Sequence, residues 1–198
     1  MQSGMMASMS TVTNTRMTVD EFLVWAEGRP GRYELFNGVV YAMSPERAGH
    51  AELKFAVQSA LAAAIRAAGV PCHMLPDGMT VRVDEATAHE PDALVYYGPK
   101  LPPAAVEVPD PIIVVEVLSP STRHIDASAK LAGYFWLPGV AHYLILDPDR
   151  PVVIHHARQS GDTIVTRIVT KGSIKLDPPG IELSVAQVLA GEPPPLQS

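Results

Sequence analysis

The sequence predicts a single α/β domain in which helices flank a mixed central β-sheet. Short apolar segments typical of buried strands alternate with stretches of helical composition, one of them rich in alanine. Glycine and proline separate these segments. A length of 198 residues suits one domain with a substantial core, which we assign to residues 17–190. We expect residues 1–16 to be a disordered leader and residues 191–198 a flexible tail.

Composition and charge limit the classes of protein to which the chain can belong. No apolar run approaches the ~20 residues that cross a bilayer, and the first residues lack the pattern of a secretory signal, so we expect a cytoplasmic protein without a membrane partner. A net charge of −6 argues against a general DNA-coating protein, because non-specific DNA binding relies on basic residues. Cys72 is the single cysteine, which excludes an intrachain disulfide and fits a buried structural thiol.

The first elements are a short helix and a hairpin. Thr18 and Glu21 have the spacing of a capping box, which predicts a helix over residues 19–26. Asn37-Gly38 lies between two apolar runs and predicts a hairpin with a two-residue turn. That turn fixes the cross-strand pairs, which are Phe36 with Val39 and Glu34 with Tyr41.

A long helix follows the hairpin. Ser44-Pro45 offers an N-cap and a proline at the first helical position, and alanine-rich sequence then continues to Gly69. His50 lies at the N-terminal end of the face that we expect to be buried. The apolar stripe of this face consists of Leu53, Val57, Ala60 and Ala64.

The remaining chain reads as strands interrupted by one further long helix. Apolar segments predict strands over residues 70–75, 79–83, 93–97, 112–118, 143–146, 152–155, 164–169 and 174–176. Helices are predicted over 125–137, where Pro138-Gly139 ends the pattern, and over 184–189. The run at 112–118 is almost continuously apolar, which is typical of a central strand.

A single carboxylate, Glu116, interrupts this central strand. Burying its charge without a partner is unfavourable by several kcal/mol, so a compensating group is expected. A metal cation compensates best, and a second carboxylate is then needed to hold the cation. Asp92, which follows Pro91 at the start of the preceding strand, is the candidate.

The helix after the central strand offers a basic group to the same place. Strand alternation turns Leu118 to the same side as Glu116, whereas Asp126, Lys130 and Tyr134 share one face of the helix at four-residue spacing. A helix packed on the strand would direct the Lys130 ammonium towards Glu116, and we assign Tyr134 to packing. A purely structural ion pair of Glu116 with Arg123 or Lys130 is the alternative.

These motifs, in this order, resemble the Uma-two family of restriction endonuclease-like proteins, a bacterial branch of the PD-(D/E)XK nuclease superfamily. The resemblance covers about residues 17–189. It rests on Tyr33-Glu34-Leu35-Phe36-Asn37-Gly38, Met43-Ser44-Pro45, His50, Pro91-Asp92, Val115-Glu116-Val117-Leu118-Ser119-Pro120-Ser121-Thr122, Asp126, Lys130, Tyr134, Gly139-Val140 and Tyr143 through Asp147-Pro148.

The resemblance implies a restriction-endonuclease-like core and a specific set of site residues. Asp92 and Glu116 would be metal ligands, with the carbonyl of Val117 as a third and Glu34 binding directly or through water. Lys130 would replace the lysine that the superfamily usually has where this chain has Leu118. If the hairpin and the long helix pack together, His50 lies near Glu34, and we expect it to hold a carboxylate or to touch a phosphate oxygen; a satisfied core histidine is the alternative.

The function expected from these residues is Mg²⁺- or Mn²⁺-dependent hydrolysis of DNA by an endonuclease. Carboxylate oxygens suit these cations, and the resemblance implies products with a 5′-phosphate and a 3′-hydroxyl. A homodimer is expected, because cutting both strands generally needs two sites. Two alternatives stay open: a non-catalytic nuclease-fold module that binds nucleic acid or a protein, and hydrolysis of RNA or a nucleotide, since the site recognises a phosphate.

Overall fold

The computed structural model describes residues 10–13, 15–118, 126–160 and 163–190. Its helices are α1 (Val19–Ala26), α2 (Ala48–Ala68), α3 (Asp126–Trp136) and α4 (Val185–Ala190). Its strands are β1 (Ser10–Thr11), β2 (Tyr33–Phe36), β3 (Val39–Ala42), β4 (Cys72–Pro76), β5 (Val81–Arg82), β6 (Ala88–His89), β7 (Ala93–Tyr97), β8 (Pro111–Val117), β9 (His142–Asp147), β10 (Val152–Arg158), β11 (Ile164–Val169), β12 (Ser173–Leu176) and β13 (Ile181–Ser184). No helix in these ranges is long and apolar enough to span a membrane.

A six-stranded mixed sheet in the order β11-β10-β9-β8-β7-β4 forms the centre of the fold. Strands β8 and β9 are parallel because α3 connects them as a crossover, while the other neighbouring pairs are antiparallel. Helix α2, the β12–β13 hairpin and α4 pack against one face, and α3 packs against the other. The expected α/β fold with a mixed central sheet flanked by helices is confirmed.

Strand β8 alternates between the two faces as its sequence predicts. Ile113, Val115 and Val117 are buried against α2, whereas Val114 is buried against α3. Glu116 therefore lies on the α3 face of the sheet. An apolar strand with one acid thus directs that acid towards the helix that carries the lysine.

A second sheet, in the order β1-β3-β2-β6-β5, carries the N-terminal hairpin. Helix α1 begins at the predicted capping box, in which Thr18 and Glu21 bond to each other's backbone amides. The hairpin has the predicted register, and its turn residues Asn37 and Gly38 both have positive φ, at 48° and 79°. Strand β2 also pairs with β6, which holds Glu34 in the interior of the molecule.

The structure departs from the sequence-based expectations at three places. Helix α2 begins at Ala48 and not at Ser44, because Arg47 has extended backbone angles and Met43 still bonds to Arg32 across the hairpin. Strands β6 and β13 were not predicted, since each is short and lies beside a turn. Within the expected leader, Ser10 and Thr11 pair with β3; residues 1–9 and the expected tail lie outside the described residues.

Replacing Gly38 with alanine should destabilise the hairpin that carries Glu34. The backbone has φ 79°, and an added Cβ would lie 3.2 Å from the Arg16 Cβ and 3.3 Å from the Met17 carbonyl oxygen. We expect Gly38→Ala to lower the free energy of unfolding by about 1–2 kcal/mol, measured by urea denaturation. Gly49→Ala is the matched control, because a Cβ there meets nothing within 4 Å; equal stabilities of the two variants would contradict the argument.

Candidate active site

Asp92 and Glu116 lie at neighbouring positions, where β7 begins and β8 ends. Ala93 pairs with Val115, and the Asp92 amide donates to the Val115 carbonyl at 3.0 Å, so the residues before Ala93 and after Val115 face each other. Asp92 is additionally fixed by the Val117 amide, which donates to its Oδ2 at 2.7 Å. The side chains retain 6% and 13% exposure for Asp92 and Glu116, so the pair is nearly enclosed but still reaches solvent.

Lys130 joins Glu116 to the N-terminal sheet. Its Nζ lies 2.9 Å from Glu34 Oε1 and 3.1 Å from Glu116 Oε1, and Glu34 and Lys130 are buried. The Tyr134 hydroxyl, one helical turn further along α3, donates to the same Glu116 oxygen at 2.7 Å. The predicted approach of Lys130 to Glu116 is therefore what the structure has, and Glu34 is held in the same group.

Burial and charge set the ionisation of this group. Burial raises the pKa of Glu116 to about 8; Lys130 opposes the rise, and the carboxylates of Asp92 and Glu34 add to it. Burial alone would raise the pKa of Glu34, but Lys130 and the amide of Glu90 lower it overall. Burial also raises the pKa of Asp92. Glu34 is thus the preferred anion of the Lys130 ammonium, and Glu116 is the acid that would gain most from a further positive charge.

Helix α2 presents a second polar stripe to Asp92 from the opposite side. Lys54 Nζ lies 3.6 Å from Asp92 Oδ1, 2.7 Å from Asp77 Oδ2 and 2.5 Å from Glu46 Oε1. The Gln58 amide donates to the Asp92 backbone carbonyl at 2.8 Å. Burial would lower the pKa of Lys54, but its bonds to Asp77 and Glu46 raise it, so Lys54 is a buried ammonium.

His50 stands between Glu46 and the end of β8. Its Nδ1 lies 2.7 Å from Glu46 Oε1, and its Nε2 lies 2.9 Å from the Val117 carbonyl oxygen and 3.8 Å from Asp92 Oδ2. Among the described residues, Glu46, His50 and Asp92 are the one set of three metal-ligating side chains whose ligand atoms lie within 4.8 Å of one another, so the three expected ligands Glu34, Asp92 and Glu116 do not form such a set. His50 therefore contacts the carboxylate of Glu46, whereas Glu34, near which it was expected, lies beside His89.

His89 is a buried histidine at the Glu34 end of the site. Its Nδ1 lies 3.9 Å from Glu34 Oε1, and neither ring nitrogen has a hydrogen-bond partner among the described residues. Burial lowers the pKa of His89 to about 4, so the imidazole is neutral. It packs edge-on against the ring of Tyr134. His89 therefore forms part of the wall of the site and adds no charge to it.

Among the residues that the structure describes, carboxylates outnumber basic groups in the ion-pair network of the site. Arg32 extends it by pairing with Glu90 at 2.6 Å and Asp77 at 2.8 Å. The acids are Glu34, Glu46, Asp77, Glu90, Asp92 and Glu116, and the bases are Arg32, Lys54 and Lys130. This excess of buried or half-buried acid fits a site that takes up a cation.

Sequence reasoning missed Glu46, Lys54 and Asp77, and it assigned Tyr134 to packing alone. A signal for Lys54 exists, because the polar residues His50, Lys54 and Gln58 recur at four-residue spacing along one face of an alanine-rich helix. The same spacing had identified Lys130. No comparable signal marks Asp77, which lies in a turn and meets Lys54 only through the fold.

The comparison with known families places these elements within one family model. The Uma2 family model, described as "Putative restriction endonuclease", matches residues 19–187. The chain belongs to the Uma2 family. The match spans the hairpin, helices α2 and α3, Asp92 with the following strand β7, and strand β8 with Glu116.

Two relatives extend the comparison beyond the Uma2 family model. The chain is 22% identical over 178 residues to the uncharacterized protein slr1290 of Synechocystis sp. (strain PCC 6803), with coverage of 89% of this chain and 93% of the relative. Its fold is similar to the crystal structure of a protein from Anabaena variabilis ATCC 29413, titled "a putative nuclease belonging to DUF820". That comparison has a TM-score of 0.69 at 15% identity and covers 88% of this chain and 98% of the other.

The donor set of this Uma2 site fits a hard divalent cation. Carboxylate oxygens dominate the site, and burial raises the pKa of Glu116. Within the described part of the chain its ion pair is with Lys130, which is shared with Glu34; Arg123, the other expected partner, lies outside the described residues. The imidazole of His50 adds one nitrogen beside Asp92. Such a mixture of oxygens with one nitrogen suits Mg²⁺ and Mn²⁺, and the nitrogen favours Mn²⁺.

Removing the shared ammonium should destabilise the fold. Lys130→Met leaves two buried carboxylates without their common partner, and we expect the free energy of unfolding to fall by about 3 kcal/mol or more in urea titrations. Lys175→Met removes an exposed lysine and should change stability by no more than ~0.5 kcal/mol. If the two variants were equally stable, Lys130 would not be the counter-ion that the contacts indicate.

Proposed function

We propose that this protein is a divalent-metal-dependent endonuclease that hydrolyses phosphodiester bonds in DNA. Membership of the Uma2 family and a nuclease-like fold support hydrolase chemistry on a phosphodiester. The observation that carries the proposal is the nearly enclosed pair of Asp92 and Glu116, with Lys130 bonded to Glu116 at 3.1 Å. An acid pair, a lysine and an opening to solvent are the parts that metal-assisted phosphodiester hydrolysis needs.

In this proposal Asp92 and Glu116 hold the cation, which is Mg²⁺ or Mn²⁺, and Glu34 holds it directly or through water. A bound divalent cation lowers the pKa of water and neutralises charge on the scissile phosphate. Lys130 stays on α3 beside Glu116, where its ammonium orients the attacking water or stabilises the developing negative charge. Tyr134 fixes the Glu116 carboxylate through its hydroxyl.

His50 and Lys54 act on the Asp92 side. His50 holds Glu46 and faces Asp92, so it positions the carboxylate or contacts a phosphate oxygen. Lys54 is anchored by Asp77 and Glu46 and orients Asp92 from the side opposite Lys130. Because its ammonium lies so close to Asp92, it also opposes the binding of a further cation there.

The same proposal extends to assembly and location. Cutting both strands of a duplex generally needs two active sites, so the protein acts as a homodimer. The catalytic unit spans residues 17–190, and the reaction takes place in the cytoplasm. The products carry a 5′-phosphate and a 3′-hydroxyl.

The charge pairing favours one second candidate, a non-catalytic nuclease-fold module that binds nucleic acid or a protein partner. Lys130 and Lys54 already neutralise much of the acidic group without any metal, and His50 occupies the Val117 carbonyl. A structural ion-pair network has the same appearance. The effect of a divalent cation on stability distinguishes the two functions, because the non-catalytic module should gain no stability from the cation.

Mn²⁺ should stabilise the protein through Asp92 and Glu116. At a concentration 100-fold above the dissociation constant we expect a thermal midpoint higher by about 5 °C or more, because binding to the folded state alone contributes about 2.7 kcal/mol. Asp92→Asn and Glu116→Gln should abolish the shift in differential scanning calorimetry. Asp110→Asn, at an exposed position, should retain it; an equal shift in all proteins would contradict the assigned ligands.

Cleavage of supercoiled and linear DNA should follow the same residues. With Mg²⁺ or Mn²⁺ we expect nicking or linearisation by the unaltered protein, at least about 100-fold less by Lys130→Met, and none with chelator. Lys175→Met should cut like the unaltered protein. Cation-dependent stabilisation without cleavage of DNA, RNA or nucleotides would exclude the proposed endonuclease function. Cleavage of RNA alone would show that the substrate is RNA and not DNA.

Lys54→Met should separate cation binding from turnover. Loss of a buried positive charge beside Asp92 should tighten Mn²⁺ binding by about tenfold or more in isothermal titration calorimetry. Cleavage at saturating Mn²⁺ should nevertheless slow, because Asp92 loses a positioning contact. Unchanged affinity and rate would show that Lys54 serves only the fold.

A further inference from the structure

Strand β11 is an edge strand of the central sheet in the part of the chain that the structure describes. It lies at one end of the strand order, and among the described residues it pairs with β10 alone. The pairing is regular along all six residues from Ile164 to Val169, with no bulge. The backbone groups on its outer side are therefore an ordered template for another strand.

This edge has few of the features that usually prevent strand addition. It contains no proline and no lysine, Arg167 is its single charged residue, and its side chain Ile168 is 72% exposed. The opposite edge of the sheet, β4, is protected differently, because it is flanked by Pro71 and ends at Pro76, which has no amide hydrogen to donate. The contrast makes β11 the edge that is open to a partner.

We infer that β11 pairs with β11 of a second copy of this chain, in antiparallel orientation about a two-fold axis. An axis perpendicular to the sheet makes the two strands antiparallel and keeps each face on its own side. Residues that meet across the axis must then come from the same face. Ile164, Thr166 and Ile168 lie on the α3 face, and Val165, Arg167 and Val169 lie on the other.

Registers with the axis at Thr166 or Arg167 pair five residues of β11, whereas an axis at Ile168 pairs only three, and the sequence selects between the first two. With the axis at Arg167, two guanidinium groups would stand directly opposite each other, which is unfavourable. With the axis at Thr166, the pairs are Thr166 with Thr166, Ile164 with Ile168, and Val165 with Arg167. This register covers the exposed Ile168 with an isoleucine and keeps the arginines apart. A second copy therefore fits the edge better than an arbitrary strand does.

The resulting dimer joins two six-stranded sheets into one continuous sheet. Two short strands bury less than the ~1,200–2,000 Å² of a standard interface, so we expect association in the micromolar range. Strands β9 and β10 separate β11 from β8, which carries Glu116. The interface is consequently independent of the catalytic proposal and can be tested without it.

Sedimentation velocity of the full chain from about 1 to 200 µM tests the interface. The unaltered protein should shift from monomer to dimer over this range, and Ile168→Lys should weaken association by at least about tenfold. Val24→Lys is the matched control, because Val24 is a 74% exposed aliphatic side chain on α1, away from β11. It should associate like the unaltered protein. A monomer at every concentration, or equal association of all three, overturns the inference.

Cysteine cross-linking tests the register. After oxidation, Thr166→Cys should give a disulfide-linked dimer on a non-reducing gel, because opposed residues of an antiparallel pair come within disulfide reach. Arg167→Cys should not exceed the unaltered chain, whose single Cys72 is buried. Cross-linking of Arg167→Cys without Thr166→Cys overturns the proposed register, and cross-linking of neither overturns the interface.

Discussion

The ammonium of Lys130 connects three parts of the molecule that are distant in sequence. It bonds to Glu34 on β2, 96 positions earlier, and to Glu116 on β8, 14 positions earlier. Both acids are buried or nearly so. If either sheet or α3 shifted, a buried charge would lose its partner, which is strongly unfavourable. The packing of the N-terminal hairpin on the central sheet is thus tied to the geometry of the site.

Helices α2 and α3 each contact one of the two acids, Asp92 and Glu116, through a pair of polar residues spaced four apart. On α3, Lys130 and Tyr134 are four residues apart and both bond to Glu116. On α2, Lys54 and Gln58 have the same spacing and both approach Asp92, one at its carboxylate and the other at its backbone carbonyl. Each acid therefore has its own helix, which fixes the carboxylates independently while the strands hold them side by side.

The negative charge of the whole protein is compatible with a phosphate substrate because so much acid is gathered in one place. A cleft with excess carboxylate attracts divalent cations, and cations in turn allow a phosphodiester to approach. The ion pairs of Lys54 and Lys130 hold the acids close together before any cation binds. Arg32, paired with Glu90 and Asp77, extends that network and is not a free anchor for DNA.

Sequence alone determined the local features. The capping box at Thr18, the Asn37-Gly38 turn and the alternation that isolates Glu116 each depend on residues a few positions apart, as does the spacing that singles out Lys130. Only the tertiary structure decided that His50 bonds to the Val117 carbonyl, 67 positions away, and that Asp77 anchors Lys54. It also decided that α2 begins at Ala48, beyond Glu46, although Ser44-Pro45 is a good local start. Local patterns determine which segments form helices, strands and turns and on which face each side chain lies. The partner of a buried charge depends instead on which distant segments pack around it.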